Sequence, residues 1–378
     1  MDPVPQLEDL PGVSGRSVLL RADFNVPLTG GEIDDDLRIR AALPTIEWLT
    51  GRGARVTACS HLGRPKGKPD PKYSMEPVRR RLAELAPGVE LLENLRFDPG
   101  EEANDPGFVE RLVAGHDLYV DDAFGAAHRA HASIVGPPKV LPSAAGRLLA
   151  REVEVLGGLL DRPKRPFVAI LGGSKVSDKL GVIQALLGKV DKILIGGGMC
   201  FTFLAAVGTP VGDSLFEADQ VDTCGQLLAT GKVVIPEDIV SLSPGGTIGD
   251  PSAGGEVGMG TARVLDGWKG LDIGPGTAAA FGEEIAEART VFWNGPMGVF
   301  EDPRFEAGTR AVAQACADTK AFTVVGGGDS ASALAKFGLA GEVDHVSTGG
   351  GASLELLELG DLPGLRALRE APNWKGRT

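Results

Sequence analysis

The sequence predicts an α/β protein made of two doubly wound parallel-sheet domains, Rossmann-like in plan and separated by a cleft. Short apolar runs that end in glycine or in a polar cluster alternate with amphipathic stretches along the whole chain. Runs of this kind are typical of buried parallel strands, and the alternation is typical of βαβ units. The length of 378 residues favours two domains over one.

The predicted strands form two groups. The first group is SVLLRADFNV, ARVTACS, VELLENLRF and DLYVDDAFG, and the second is FVAILGG, KILIGGG, KVVIP, GLDIGP, TVFWNG and FTVVGGG. Apolar spacing predicts helices over 36–50 and 75–85, and a connecting helix over 143–160. Two prolines in 161–166 then break the pattern. We therefore predict domains over 1–152 and 153–360, with the tail 361–378 packing on structure already formed.

Composition restricts the class of partner. The net charge of −13 argues against a broad nucleic-acid surface, which needs a positive footprint. The N-terminal segment is acidic and does not resemble a signal peptide, and no apolar run reaches the length of a membrane span. The four cysteines form no C-x-x-C pair, which favours reduced thiols. These observations predict a soluble cytoplasmic protein that acts on small molecules.

Four glycine clusters lie in the second half of the chain, at 171–175, 195–199, 325–329 and 348–352. A strand–glycine–helix turn brings backbone N–H groups and a helix dipole to an anion. One such cluster is equally well explained as a tight turn, but three that close strands of one domain favour a phosphate site. The sequence contains no G-x-x-x-x-G-K-[ST] motif, which excludes a P-loop enzyme.

Charged residues accompany these clusters. Lys175 and Lys179 are four residues apart, so at the start of a helix they share a face and can reach one anion. The alternative is an ordinary solvated face, because Asp178 lies between them. Asp329 follows the third cluster, where a carboxylate beside phosphates suits Mg²⁺. The alternative for Asp329 is a helix N-cap.

Basic residues follow the strands of the first half. Singly, each arginine is more often a surface ion-pair partner, but several on one sheet edge suit a small phosphorylated carboxylate. His128 and His131 could suggest a metal, yet no further ligand is evident. The segment 274–279 fits G-x-G-x-x-A, a dinucleotide fingerprint, although Pro275 and its late position argue against it. A nicotinamide-dependent dehydrogenase is therefore the weaker alternative.

Long motifs in order along the chain resemble the phosphoglycerate kinase family. In the first half they are RADFNVP (21–27), DLRI (36–39), SHLGRP (60–65), ENLRF (93–97) and DAFGAAHRAH (122–131). In the second half they are GGSKVSDK (172–179), GGGM (196–199), WNGPMGVFE (293–301), GGGD (326–329) and STGGGAS (347–353). The resemblance implies a kinase that interconverts 1,3-bisphosphoglycerate plus ADP with 3-phosphoglycerate plus ATP, a phosphotransferase with a carboxyl group as acceptor.

The resemblance also implies a role for each matched residue. The 3-phosphoglycerate site in the N-terminal domain would comprise Asp23, Asn25, Arg38, His61, Arg64, Arg96 and Arg129. The ATP/ADP site in the C-terminal domain would comprise Lys175, Lys179, Gly196, Gly197, Gly198, Gly274, Asn294, Glu301, Gly327, Gly328, Asp329 and Ser330. Asp329 would contact Mg²⁺, and Arg38, Lys175, Gly327 and Gly328 would stabilise the transferred group.

The family implies a glycolytic monomer that closes about a hinge, expected near 150–165 and 348–352. A catalytically silent relative is the second alternative, although no matched position is altered. The segment 371–378 has no assigned role.

Overall fold

A computed structural model describes residues 2–374 and Gly376; Met1, Lys375, Arg377 and Thr378 lie outside the described residues. The chain divides into two compact units. Unit 1 comprises the chain up to Gly157 and from Leu359 onward, and unit 2 comprises Gly158–Glu358. The predicted tail 361–378 is thus described only in part.

Unit 1 contains a five-stranded parallel sheet and a two-stranded hairpin. The strands of unit 1 are β1 (Ser17–Ala22), β2 (Leu28–Thr29), β3 (Glu32–Ile33), β4 (Arg55–Cys59), β5 (Glu90–Leu91), β6 (Leu118–Asp122) and β7 (Ser143–Ala145). The helices are α1 (Leu37–Ala41), α2 (Leu43–Thr50), α3 (Glu76–Leu85), α4 (Pro99–Glu102), α5 (Pro106–Val113), α6 (Ala132–Val135) and α7 (Arg147–Asp161). The sheet order is β5-β4-β1-β6-β7, and β2 with β3 forms a separate hairpin. Because all five strands are parallel, their carboxyl ends meet at one edge.

Unit 2 contains a six-stranded parallel sheet and a smaller antiparallel one. The strands are β8 (Phe167–Leu171), β9 (Lys192–Ile195), β10 (Val233–Val234), β11 (Asp238–Leu242), β12 (Val257–Thr261), β13 (Lys269–Ile273), β14 (Thr290–Asn294), β15 (Phe322–Gly326) and β16 (His345–Val346). The helices are α8 (Leu180–Leu187), α9 (Cys200–Ala206), α10 (Val221–Leu228), α11 (Pro275–Glu287), α12 (Ala307–Asp318), α13 (Gly328–Phe337) and α14 (Gly351–Leu359). The parallel order is β10-β9-β8-β14-β15-β16, and the antiparallel order is β12-β11-β13.

Short 3₁₀ turns complete the elements. They lie at Leu7–Asp9, Pro71–Tyr73, Leu95–Phe97, Phe124–Ala126, Pro137–Lys139 and Ala218–Gln220.

The central strands are buried along their whole length. Every residue of β6, β8 and β14 is buried, as expected for strands covered by helices on both faces. Aliphatic residues of β1 and β4, such as Leu20 and Val56, pack with Ile46 of α2 in the core of unit 1. Phe281 and Val312, from α11 and α12, pack against β14 in unit 2. The predicted doubly wound α/β class is confirmed.

The end of the chain forms α15 (Pro363–Arg369), which packs in unit 1. The Gly364 N–H donates to the Ala127 carbonyl at 2.9 Å, and a Cβ at Gly364 would lie 2.9 Å from the Ile134 side chain. Asn373 then bonds both backbone groups of Ser143, accepting from its N–H at 2.8 Å and donating to its carbonyl at 3.1 Å. Asn373 thus holds the tail beside β7.

Three predicted elements differ from the structure. The helix expected over 36–50 is two helices that meet at Ala42, because Pro44 lies in the first turn of α2 and cannot donate to a preceding turn. The start of the expected helix over 143–160 is β7. The GLDIGP strand is β13, which pairs antiparallel with β11 rather than joining the parallel sheet. Among the described residues, we find no helix with the length and apolarity needed to cross a membrane.

Candidate active site

Candidate substrate residues follow four neighbouring strands of unit 1. Asp23 follows β1, His61 follows β4, Arg96 lies in the turn after β5, and Arg129 follows β6. The charges of Asp23, Arg96 and Arg129 all act on the ring of His61, so these side chains are close together. The parallel sheet therefore gathers residues that are far apart in sequence into one basic cluster.

Arg38 joins this cluster from helix α1 through an ion pair with the Asp23 carboxylate. Asp23 is only 7% exposed. Burial alone would raise the pKa of Asp23, but the charges of Arg38 and Arg21 outweigh burial and hold the pKa below its ordinary value. Asp23 is consequently an anion that can hold Arg38, and Arg38 keeps about a third of its side chain exposed.

The loop after β4 is fixed from both sides. Asn25 Oδ1 accepts from the Gly63 N–H at 2.8 Å, and Arg96 Nη1 donates to the Gly63 carbonyl at 2.8 Å. Asn94 bonds both backbone groups of Leu62, its Oδ1 accepting at 3.2 Å and its Nδ2 donating at 2.7 Å. These contacts position His61 at the start of the loop. Asn94 was not among the predicted site residues, although it lies in the quoted ENLRF motif.

Two predicted arginines differ in their surroundings. Arg64 is exposed, and no hydrogen-bond or ion-pair partner for it occurs among the described residues. Arg129 donates from Nε to His128 Nε2 at 3.2 Å. Burial and the adjacent Arg129 charge lower the pKa of His128, which keeps the ring neutral and able to accept. His128 thereby orients Arg129.

In unit 2, three glycine-rich loops interlock at the carboxyl ends of β8, β9 and β14. The Gly173 N–H donates to the Pro296 carbonyl at 3.1 Å, and the Gly197 N–H donates to the Met297 carbonyl at 2.9 Å. A Cβ at Gly172 would lie 2.0 Å from the Pro296 oxygen, and one at Gly197 would lie 2.6 Å from the Gly173 nitrogen. Glycine is required here because the backbones pass too close for a side chain.

A cavity of about 400 Å³ opens beside these loops. It is lined by Gly173, Ser174, Gly197, Gly198, Asp213, Ser214, Leu215, Ile248, Lys269, Gly270, Leu271, Pro296, Gly298, Val299, Glu301 and Asp329. Four predicted nucleotide-site residues are in this lining: Gly197, Gly198, Glu301 and Asp329. The apolar residues of this lining were not predicted from the sequence, because they come from loops and from the antiparallel sheet. An apolar wall beside glycine-rich backbone suits a base with attached phosphates.

Asp329 lies in the first turn of α13 with its side chain exposed. The N-cap of that helix is Gly327, at φ 92°, so the alternative prediction of an Asp329 N-cap is wrong. No hydrogen-bond or ion-pair partner of the Asp329 carboxylate occurs in the part of the chain that the structure describes. A free carboxylate in the lining of this cavity fits Mg²⁺, which takes one or two protein carboxylates and completes its shell with phosphate and water. Ser330, in contrast, is buried and accepts from the Gly295 N–H at 2.6 Å.

The two lysines do not share a helix face, so that prediction is wrong. Helix α8 begins at Leu180, with Lys179 as its N-cap residue. Lys175 is exposed, whereas Lys179 is buried and donates from Nζ to the carbonyl of Asn294 at 2.9 Å and to its Oδ1. Burial lowers the pKa of Lys179 to about 8, against the opposing charges of Asp329 and Asp178.

The contact with Lys179 decides how the Asn294 amide is oriented. A lysine only donates, so Oδ1 faces Lys179 and the Nδ2 group is turned away from it. Nδ2 is buried and has no partner among the described residues. A Cβ at Gly327 would lie 3.0 Å from it. Asn294 therefore aims a free N–H group at the loop between β15 and α13.

The backbone N–H groups of the possible dinucleotide fingerprint at 274–279 already donate hydrogen bonds within the protein. Gly274 is the N-cap residue of α11, and its N–H donates to the Asp238 carbonyl at 2.8 Å. The Asp238 carboxylate accepts from the N–H groups of Gly276 at 2.8 Å and Thr277 at 2.7 Å. These N–H groups are therefore unavailable to a pyrophosphate, and Gly274 is not among the residues that line the cavity.

Comparison with known proteins gives the family. The family model described as "Phosphoglycerate kinase" matches residues 7–90 and 86–359. A curated protein named phosphoglycerate kinase from Rubrobacter xylanophilus is 52% identical over 94% of this chain and 96% of its own length. One from Salinispora tropica, with the same name, is 53% identical with the same coverage.

The chain belongs to the phosphoglycerate kinase family. The solved structure of phosphoglycerate kinase from Coxiella burnetii is also similar, with a TM-score of 0.87 and 38% identity, covering 97% of this chain and 99% of that one. The structure from Pyrococcus horikoshii has a TM-score of 0.83 and 31% identity, covering 97% and 98%. The resemblance drawn from the motifs is confirmed.

Proposed function

We propose that this phosphoglycerate kinase family member reversibly transfers the acyl phosphate of 1,3-bisphosphoglycerate to ADP, giving 3-phosphoglycerate and ATP. It is a phosphotransferase with a carboxyl group as acceptor, and it serves glycolysis and gluconeogenesis. The observation that carries the proposal is the basic cluster on the strand edge of unit 1, made by the family's own motif residues. An anionic metabolite requires such a cluster, and a nucleotide-binding module alone does not.

The basic cluster of unit 1 binds 3-phosphoglycerate. Arg64, Arg96 and Arg129 neutralise its anionic groups, while Asp23 and Asn25 bind its uncharged oxygens. Support comes from the common strand edge and from the contacts that fix Asn25 and Arg96 around Gly63.

The cavity of unit 2 binds ADP or ATP. The apolar wall that includes Leu215 and Leu271 takes the base, and Glu301 takes the ribose. The glycine loops and the exposed Lys175 take the phosphates. Asp329 would hold Mg²⁺ together with the phosphates, and that ion would neutralise charge on the transferring group.

The protein contributes little covalent chemistry to the transfer, and its main tasks are to position the ligands and to stabilise charge. A β-phosphate oxygen of ADP forms the new P–O bond in line with the bond that breaks to the acyl oxygen, and 3-phosphoglycerate leaves as a carboxylate. Arg38, Lys175 and the N–H groups of Gly327 and Gly328 stabilise charge on the migrating group. Both ligands must meet in a water-poor site, so we infer a hinge closure that excludes hydrolysis of the acyl phosphate.

We further propose that the protein works in the cytoplasm as a monomer, with small molecules as its partners and without nucleic acid. All four cysteines are free and buried, which suits a reducing compartment.

A coupled assay tests the function directly. With Mg²⁺ present, ATP should be consumed only when 3-phosphoglycerate is added, with ADP formation followed through a linked dehydrogenase. Absence of turnover by the folded protein would favour the catalytically silent alternative. A titration of the chain with NADH, followed by nicotinamide fluorescence, addresses the dehydrogenase alternative and should show no change.

A further inference from the structure

Arg21 was not among the predicted site residues, yet it lies at the centre of the basic cluster. It comes from β1 and is only 1% exposed. A buried guanidinium must be paired and fully hydrogen-bonded to be tolerated. The hydrogen bonds of the Arg21 guanidinium therefore indicate its role in the cluster.

Two of these contacts fix the guanidinium in place. Nε donates to Ser133 Oγ at 2.8 Å, and Nη1 donates to the carbonyl of Ala22. Ser133 is itself anchored, because its Oγ donates to Glu101 Oε1 at 2.6 Å and its N–H donates to Oε2 at 2.9 Å. Glu101 is completely buried and supplies the compensating negative charge through Ser133. The plane of the Arg21 side chain is consequently set by the fold.

The remaining contact joins Nη2 of Arg21 to Nδ1 of His61 at 3.2 Å. A guanidinium has donors and no acceptor, so Nδ1 must accept in this contact. A neutral imidazole that accepts at Nδ1 carries its proton on Nε2. His61 is 7% exposed, and burial together with the charges of Arg21, Arg96 and Arg129 lowers the pKa of its ring well below the ordinary value, despite Asp23. The ring is therefore neutral.

We propose that Arg21 is a positioning residue for the transfer reaction, which holds His61 in the tautomer with the proton on Nε2 so that this N–H donates to the anionic substrate. The inference rests on the proposed function and on the contact with 3-phosphoglycerate that the family resemblance implies for His61. Among the described residues, Nε2 has no hydrogen-bond partner, which leaves its proton available to a ligand. The opposite tautomer would present a lone pair to an anion and repel it.

The wild-type protein alone can decide the tautomer. Long-range ¹H–¹⁵N spectra of the full ¹⁵N-labelled chain at pH 7 distinguish protonated from unprotonated ring nitrogens, and His61→Gln assigns the signals among the five histidines. We expect His61 to show the Nε2–H pattern. An Nδ1–H pattern, or a charged ring, would overturn the proposal whether or not any variant folds.

Two buried arginines provide a matched pair of variants. Arg21→Met removes the donor to Nδ1, and we expect a mixture of tautomers with a KM for 3-phosphoglycerate raised about tenfold or more. We expect its KM for ADP to change little. Arg96→Met removes a charge that also acts on His61 but donates no bond to it, so the Nε2–H pattern should persist.

An unchanged tautomer in folded Arg21→Met would refute the role of Arg21. The coupled assay on the wild type tests the proposed function separately, because the tautomer is read without turnover.

Discussion

At the residue scale, buried partnerships decide where the functional side chains point. Arg38 is held by Asp23, Arg129 by His128, and Lys179 holds Asn294. The Arg38–Asp23 and Lys179–Asn294 pairs join residues that are far apart in sequence, so local sequence pattern carries no sign of them. The motifs predicted which residues are candidates for the site, but they did not predict that Lys179 precedes α8, which begins at Leu180, and turns its side chain inward to Asn294.

Arg38 provides the first test of the mechanism. Losing a charged contact to the transition state commonly costs two to four orders of magnitude in rate, or about 3–5 kcal/mol. We therefore expect Arg38→Ala to lower kcat by roughly 10²–10⁴-fold while the KM for ADP changes little. Arg40→Ala is the control, since Arg40 lies on the same helix but pairs with Asp36 at the surface. Near-normal turnover of Arg38→Ala in a steady-state assay would remove Arg38 from the mechanism.

If Lys179 acts on the nucleotide phosphates, as the family resemblance implies, we expect nucleotide binding to depend on pH. With its pKa lowered to about 8, the ammonium is charged below pH 8 and becomes neutral as the pH rises through 8. A neutral amine attracts phosphate less, so the KM for ADP should rise between pH 7 and pH 9. Lys179→Met should have a KM raised about tenfold at pH 7. Its KM should not rise further with pH.

The same pH series on Lys175→Met separates the two lysines, because that variant retains Lys179. It should keep the wild-type pH dependence even if its KM is raised throughout. Equal slopes in the wild type and Lys179→Met would contradict the assignment of the titration to Lys179.

At the element scale, apolar runs predicted the strands that are buried on both faces. β6, β8, β14 and β15 are present where the sequence predicts them, because short apolar runs followed by glycine or a polar residue are typical of buried parallel strands. The smaller strands were not predictable in the same way. β7 has only three residues and small side chains, so its segment has the spacing of the helix that follows.

The antiparallel sheet of unit 2 shows why pairing is harder to predict than strand existence. β13 has the apolar run and terminal glycine of a parallel strand, but its partner is β11, about thirty residues earlier. β12 is mostly exposed and contains two glycines, so it lacked the apolar signal. The apolar wall of the cavity includes residues from this sheet and nearby loops, so the apolar pattern of the sequence did not predict it.

The turn between β15 and α13 requires glycine at position 327 but not at position 328. Gly327 has φ 92° and ψ 141°, a conformation essentially restricted to glycine, and its Cβ would press on Asn294. Gly327→Ala should cost about 1–3 kcal/mol, seen as a lower unfolding midpoint of unit 2, with a raised KM for ADP. Gly328→Ala is the matched control, since a Cβ there meets nothing within 4 Å. It should retain the unfolding midpoint of the wild type, whereas similar losses of stability in both variants would argue against a conformational cause.

At the scale of the whole molecule, each candidate ligand site belongs to a separate compact unit. The basic cluster lies within unit 1, and the cavity with its glycine loops lies within unit 2. Composition and periodicity predicted two α/β domains, but only the ordered motifs predicted the reaction. Motifs succeed because they report side chains at strand ends, which parallel sheets bring to one edge irrespective of their distance in sequence.

Closure of the two units around both ligands is a property of the whole molecule. The chain crosses between the units within α7 at Gly157–Gly158, inside the predicted hinge segment 150–165. It crosses again at Glu358–Leu359, at the end of α14 and beyond the predicted segment 348–352. If transfer requires the two ligands to meet, the radius of gyration measured by small-angle X-ray scattering should fall when 3-phosphoglycerate and Mg²⁺ with a non-hydrolysable ATP analogue are both bound. Each ligand alone should produce a smaller change, because neither supplies contacts to both units. A radius that is unchanged with both ligands at saturating concentration, in a protein that still turns over, would show that transfer proceeds without hinge closure.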